Sequence, residues 1–369
     1  MKKYFLIALS VFSFVNAISQ QQSRNLIIGT YTNNCESGGI YVYDFDLGTA
    51  SFKPKFNTEK VVNPSFLTVS ADNRHIYSVN EDGANSKVTA FSFDAPSGGL
   101  KAINIVDSKG ADPCYIINDA NNVLVANYSG GSIAVFGKND DGSLTDVKQL
   151  IQHKGKSKNL KRQESAHVHM VQFTPDKKFV IANDLGTDKI YTYSYNARGG
   201  EKTLVIKDSL AVKRGSGPRH LTFSADGKFA YLLQELDATL TVFRYESGSF
   251  KILQEQQVVI NGFTGKVGAA DIHITPDGKF LYATNRGTAN DITCFRIAPD
   301  GSLKFKGNYS TKGKTPRNFA IDPNGNFLLV ANQETNEVVI FSINKATGEL
   351  TDTEKRIDVC APVCLVFTE

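Results

Sequence analysis

The sequence predicts an all-β fold, a seven-bladed β-propeller, and three observations carry that prediction. One pattern recurs six times along the chain. Half of a seventh copy stands at the N-terminus, and the strand it lacks stands at the C-terminus. Together they predict one domain, residues 24–369, with no second hydrophobic core.

The repeat has a Pro-initiated or polar start, a β-run, a turn with Asp or Asn, and a second β-run. A polar pair, a third β-run and a closing turn with GxL or GxF follow. Copies start near Pro64, Pro113, Ala166, Pro218, Ala269 and Pro316, spaced about 46 to 53 residues apart. That is the length of a four-stranded propeller blade. Asp226-Gly227, Asp277-Gly278 and Asn324-Gly325 supply tight turns between β-branched and aromatic runs.

At the N-terminus, residues 25–32 resemble the second strand of a repeat and Gly39-Ile40-Tyr41-Val42-Tyr43-Asp44 the third. No first strand precedes them. Pro362-Val363-Cys364-Leu365-Val366-Phe367 supplies it from the other end, which closes the ring and removes exposed strand edges. Residues 1–19 read as a cleavable signal peptide. Lys2 and Lys3 precede an apolar run from Tyr4 to Val15, and Val15-Asn16-Ala17 is a plausible cleavage site. The run is too short to span a membrane. The expected product is a periplasmic or secreted chain beginning near Ile18 to Gln22, without membrane insertion.

Composition narrows the partners. A net charge of +4, with no concentrated basic run, argues against nucleic acid. It leaves room for a local cationic pocket and a small anionic substrate. Cys35, Cys114, Cys294, Cys360 and Cys364 are few and scattered. The expected reading is isolated small hydrophobes within strands, with one disulfide as the alternative; no spacing suggests zinc. Oligomeric state is not legible.

Alignment of the repeats exposes two columns at one end of the ring. Strand-one starts are Ser65, Cys114, His169, Arg219, Ala270 and Arg317. Strand-two ends are Tyr31, Glu81, Tyr128, Leu185, Glu235, Arg286 and Gln333. Because the two strands run antiparallel, both columns meet at the channel mouth. The hydrophobic frame repeats while these positions change chemistry, as expected of a site. Arginine forks suit carboxylate, phosphate or a developing oxyanion, and a carboxylate or neutral histidine can take a proton from water. These residue types fit hydrolysis of a small anionic ester, with lactones the natural case.

Bland alternatives accompany each residue. His169 could be a strand-end histidine bonded to backbone. Arg219, Arg286 and Arg317 could be inter-blade partners of Glu81 and Glu235. Asp271 and His273 read as inter-blade ties, and Gly130-Gly131 as a turn, not a phosphate loop. Glu81, Asn127, Asp184 and Glu235 carry oxygen donors suited to a divalent ion. Three arginines at the same mouth would repel one, so neither metal nor cofactor is expected.

With these residues in view, the chain resembles the propeller-type lactonase family that contains bacterial 6-phosphogluconolactonases and a carboxymuconate-lactonising enzyme. The carriers are Gly29-Thr30-Tyr31, residues 126–132, His167-Val168-His169, Gly217-Pro218-Arg219-His220, Gln234-Glu235-Leu236, residues 271–278, Asn285-Arg286-Gly287 and Pro316-Arg317-Asn318-Phe319. The resemblance runs from about Leu26 to the C-terminus. It implies metal-independent hydrolysis of a sugar-acid lactone, with His169, Arg219, Glu235 and Arg286 as catalytic residues. Arg317, His167, Glu81, Asn127, Tyr128 and Gln333 complete the expected substrate-binding set. Either Glu235 or His169 would activate water. The alternatives are a cycloisomerase acting on an unsaturated dicarboxylate and a non-enzymatic binding module.

Overall fold

The computed structural model describes residues 23–33 and 35–368; the expected signal peptide lies outside them. Seven four-stranded antiparallel sheets form seven blades. Blade 1 pairs the C-terminal strand Pro362–Phe367 with Ser23–Thr30, followed by Ile40–Asp46 and Phe52–Asn57, the closure expected from the sequence. Blades 2 to 7 take their strands in chain order. Among the described residues there is no α-helix, only two 3₁₀ turns at Gly83–Asn85 and Gly200–Lys202.

The first strands touch one another around a closed ring. In order they are Pro362–Phe367, Leu67–Val69, Pro113–Asn118, Val168–Phe173, Pro218–Phe223, Ala269–Ile274 and Pro316–Ile321, which returns to the first. Seven hydrophobic clusters fill the seven seams between adjacent blades. At the seam closing the ring, Phe45 of blade 1 meets Phe327 of blade 7 edge to face, with centroids 6.2 Å apart. Second strands such as Phe280–Asn285 and Phe327–Asn332 are buried throughout, because a blade packs both faces against its neighbours. Their largely apolar reading, broken only by Thr284 and Asn285 in one and Asn332 in the other, follows from that burial. Fourth strands such as Ser249–Gln257 lie largely in solvent.

One cysteine expectation needs correction. Cys114, Cys294 and Cys364 are buried free thiols, but Cys35 and Cys360 form a disulfide with Cα atoms 6.0 Å apart. Their separation of 325 residues hides the pairing in the sequence. Ring closure brings the loop after Ser23–Thr30 beside the residue that leads into Pro362–Phe367 and so makes it.

Candidate active site

Four residues of the first column sit on β-bulges. Val168 pairs with Asp184 and Met170 with Asn183, leaving His169 without a register partner. The same skip isolates Cys114, Arg219 and Arg317, flanked by Pro113/Tyr115, Pro218/His220 and Pro316/Asn318. A bulge frees the extra residue from the pleat and re-aims its side chain. Variable chemistry is thereby mounted at the mouth without disturbing the repeated frame below.

The second column is anchored by a repeated backbone bond. Glu235 N–H donates to Gly217 O, Gln333 to Thr315 O, Tyr128 to Asp112 O, Glu81 to Asn63 O and Tyr31 to Ala361 O. Each acceptor residue precedes a proline and has positive φ, from 36° at Asn63 to 70° at Gly217. For Thr315, a β-branched residue at φ 57°, this is a costly conformation held by its surroundings.

Glu235 is the centre of the arrangement. Its Oε2 accepts from Arg219 Nε at 3.1 Å and lies 3.0 Å from Arg286 Nη2, while Oε1 accepts from Arg162 Nη2 at 2.6 Å. Burial alone would raise its pKa. The guanidiniums of Arg286, Arg219 and Arg162 outweigh burial and bring it down to about 2. Glu235 is therefore a fixed anion at neutral pH. Arg219 is 2% exposed and also donates through Nη1 to Ala270 O. Burial, reinforced by Arg286, lowers its pKa to about 9, so it remains charged at neutral pH.

His169 adjoins this cluster without bonding to it. Its Nε2 is 3.8 Å from Glu235 Oε2, beyond hydrogen-bond reach, and its Nδ1 is 3.7 Å from Cys114 Sγ. Burial, then Arg219 and His220, hold its pKa well below the usual histidine value. The imidazole is neutral at physiological pH. Arg286 also donates Nε–H to Gly268 O. Arg317 lies over the Tyr31 ring, 5.4 Å from its centroid, and donates no hydrogen bond among the described residues. Burial opposes its charge, but Tyr31 and Glu81 outweigh burial and raise its pKa. Tyr31 in turn donates its hydroxyl to Glu81 Oε2 at 2.8 Å. Tyr31, Glu81 and Gln333 line one cavity of about 370 Å³.

The structure separates the remaining expected site residues. Tyr128 is at the mouth, its hydroxyl accepting from Arg162 at 3.2 Å. His167 is not a free ligand group. Its Nδ1 contacts Tyr128 O and its Nε2 Glu164, each at 3.1 Å, while its ring stacks on Tyr128. It braces Tyr128. Asn127 is not presented to the mouth: it is fully buried, and its amide donates to Ser108 O and Ser132 Oγ. Asn80 and Asn332 make equivalent bonds to Val62 O and Thr311 O, so this column belongs to the frame. Asp184 also faces inward, bonding His153 and the amides of His167, Gly186 and Thr187. The four oxygen donors suited to a divalent ion therefore do not converge.

Asp271 is the inter-blade tie the sequence suggested. It receives His220 Nδ1 at 2.7 Å, His273 Nε2 at 3.0 Å, Asn318 Nδ2 at 2.5 Å and the Phe319 amide at 3.2 Å. Sequence reasoning missed Arg162. It lies in the irregular loop 153–167, outside every repeat, so no column could select it.

Comparison with known proteins agrees with this architecture. The family described as "Lactonase, 7-bladed beta-propeller" matches residues 25–367. The 6-phosphogluconolactonase of Bacillus subtilis is 35% identical over 345 residues, covering 92% of this chain and 97% of the relative. That of Formosa agariphila is 35% identical over 335 residues, covering 88% and 94%. A Bacteroides fragilis structure described as a candidate 6-phosphogluconolactonase has a TM-score of 0.91 at 42% identity, covering 95% of this chain and 99% of its own. A periplasmic gluconolactonase of Pseudomonas aeruginosa has a TM-score of 0.87 at 37% identity, covering 94% and 99%. The chain belongs to the seven-bladed β-propeller lactonase family.

Proposed function

We propose that this protein hydrolyses sugar-acid lactones at the mouth built around Glu235, without a metal ion. The observation that carries the reading is the neutral His169, its Nδ1 on the Cys114 thiol and its Nε2 without a hydrogen bond among the described residues, beside a carboxylate gripped by three guanidiniums. Its 6-phosphogluconolactonase relatives and the gluconolactonase neighbour support the substrate class.

The geometry supports one division of labour. Glu235, with a pKa of about 2 and three cationic partners, is a weak base and an effective organiser of arginines. His169 is the base: its neutral ring removes a proton from water as the oxygen attacks the lactone carbonyl. Arg286 and Arg317 retain N–H donors free to hold the developing oxyanion. As the tetrahedral species collapses, the ring C–O bond breaks and protonated His169 returns its proton to the leaving alkoxide. The product is the open hydroxy acid. Arginines supply the positive charge that a Lewis acid would otherwise provide.

The lysine-flanked apolar segment before residue 20 supports export, and the Cys35–Cys360 disulfide suits an oxidising compartment. Mass determination of the N-terminus of exported protein is expected to place it near Ile18 to Gln22; a retained Met1 contradicts export by cleavage.

A pH-stat assay with 6-phosphogluconolactone and glucono-δ-lactone tests the activity. The expected result is turnover above spontaneous hydrolysis that persists in EDTA. Turnover abolished by EDTA and restored by a divalent ion removes the metal-free mechanism; no turnover with either lactone removes the proposed substrates.

A further inference from the structure

The four guanidiniums at the mouth are unequally committed. Arg219 and Arg286 are held by the blade frame, each bonding a main-chain carbonyl as well as Glu235. Arg162 reaches in from loop 153–167 with its side chain 44% exposed. Both of its hydrogen bonds, to Glu235 and Tyr128, use Nη2 alone. Its Nη1 and Nε donate to nothing among the described residues.

The base of this loop is fixed. Gln163 is fully buried, donates to Leu185 O and Asp188 Oδ1, and accepts from the Asn159 amide. Arg162 is thus presented at the edge of the site by a built support. The same loop exposes Lys154, Lys156, Lys158 and Lys161. Such a cluster attracts anions before contact.

Charge bookkeeping at the mouth points the same way. On the Glu235 side of the mouth Arg162, Arg219 and Arg286 face one carboxylate, while His169 is neutral; Asp82 and Asp112 join Glu81 on the Tyr31 side. Two positive charges are left over. A plain aldonolactone is neutral and cannot use them.

We propose that Arg162 is a specificity-determining residue that receives an anionic group, phosphate or carboxylate, carried by the lactone away from its reacting ester. The proposal rests on the lactonase reading. The free Nη1 and Nε edge of the guanidinium forms the receptor, and forked donors suit both anions. Sharing Arg162 leaves Glu235 paired on Oε2 with Arg219 and Arg286, so the buried carboxylate is not stranded.

Calorimetric titration of the full mature chain with 6-phosphogluconate, glucarate and gluconate reads the receptor without requiring turnover. The expected result is that 6-phosphogluconate or glucarate binds at least ~10-fold tighter than gluconate, the size of one good charge-assisted contact. The stronger of the two identifies phosphate or carboxylate as the preferred group. Arg162→Gln is expected to reduce that preference at least fivefold, a ratio that general damage to the site leaves unmoved. Arg162→Lys, with charge but no fork, is expected to recover part of it. Equal binding of the three acids by the wild type, or an unchanged preference in Arg162→Gln, overturns the proposal. An Arg162-dependent preference without turnover of the parent lactones leaves the receptor standing and removes the lactonase reading instead.

Discussion

Arg219, enclosed at 2% exposure, places its Nε 3.1 Å from Oε2 of Glu235, itself only 5% exposed. Neither charge is tolerable alone at that depth, because the desolvation of one is offset only by the other. The pair is therefore structural and functional together.

The first prediction concerns acid stability. The folded pKa of Glu235, about 2, lies below its ordinary value. Its contribution is fully present above the unfolded value, near 4.5, and is lost as pH falls through 2. The shift corresponds to roughly 3 kcal/mol. Glu235→Gln is expected to melt lower than wild type at pH 7, with the gap narrowing steadily from pH 5 to pH 2. A gap independent of pH contradicts the ion-pair account.

A second prediction follows from His169. Its protonation is displaced well below the usual range, so kcat/KM is expected to stay flat across the pH range in which an ordinary histidine titrates, with the acid limb below it. An acid limb centred at or above the normal histidine value of about 6.5 shows that a different base is at work.

The disulfide gives a third. Cys35–Cys360 fastens the loop following Ser23–Thr30 to the residue leading into the C-terminal strand. Cys35→Ser is expected to destabilise the oxidised protein by about 2–4 kcal/mol. Dithiothreitol is expected to lower the melting temperature of wild type and leave that of the variant unmoved. Equal effects of reductant on both place the sensitivity elsewhere.

A fourth concerns Asp271, which holds His220, His273, Asn318 and the Phe319 amide across blades 5, 6 and 7. Asp271→Ala strands those partners and is expected to cost about 3–5 kcal/mol in chemical denaturation. A loss below about 1 kcal/mol, ordinary for a surface site, contradicts its role as a tie.

Blade architecture was legible because each blade must repeat the same inter-blade contacts, and repetition survives in the sequence. His169, Arg219, Glu235, Arg286 and Arg317 were legible for the opposite reason: they vary where the frame does not. Asn127 was misassigned to the mouth because its neighbour Tyr128 is there. One residue further along an alternating strand, the side chain turns into the frame. Arg162 was invisible because its position depends on the path of one irregular loop, pinned by Gln163 on Asp188. The Cys35–Cys360 pairing likewise depends on ring closure, which no local spacing encodes.

The central claim is that lactone chemistry occurs beside Glu235 with His169 as base. Its most direct test is turnover of 6-phosphogluconolactone and glucono-δ-lactone by wild type and His169→Asn, with folding of both verified by thermal melting. The account predicts wild-type turnover of at least one lactone and a loss of about 10²–10⁴-fold in the folded variant. Equal turnover by the two proteins would contradict it and move the chemistry away from His169.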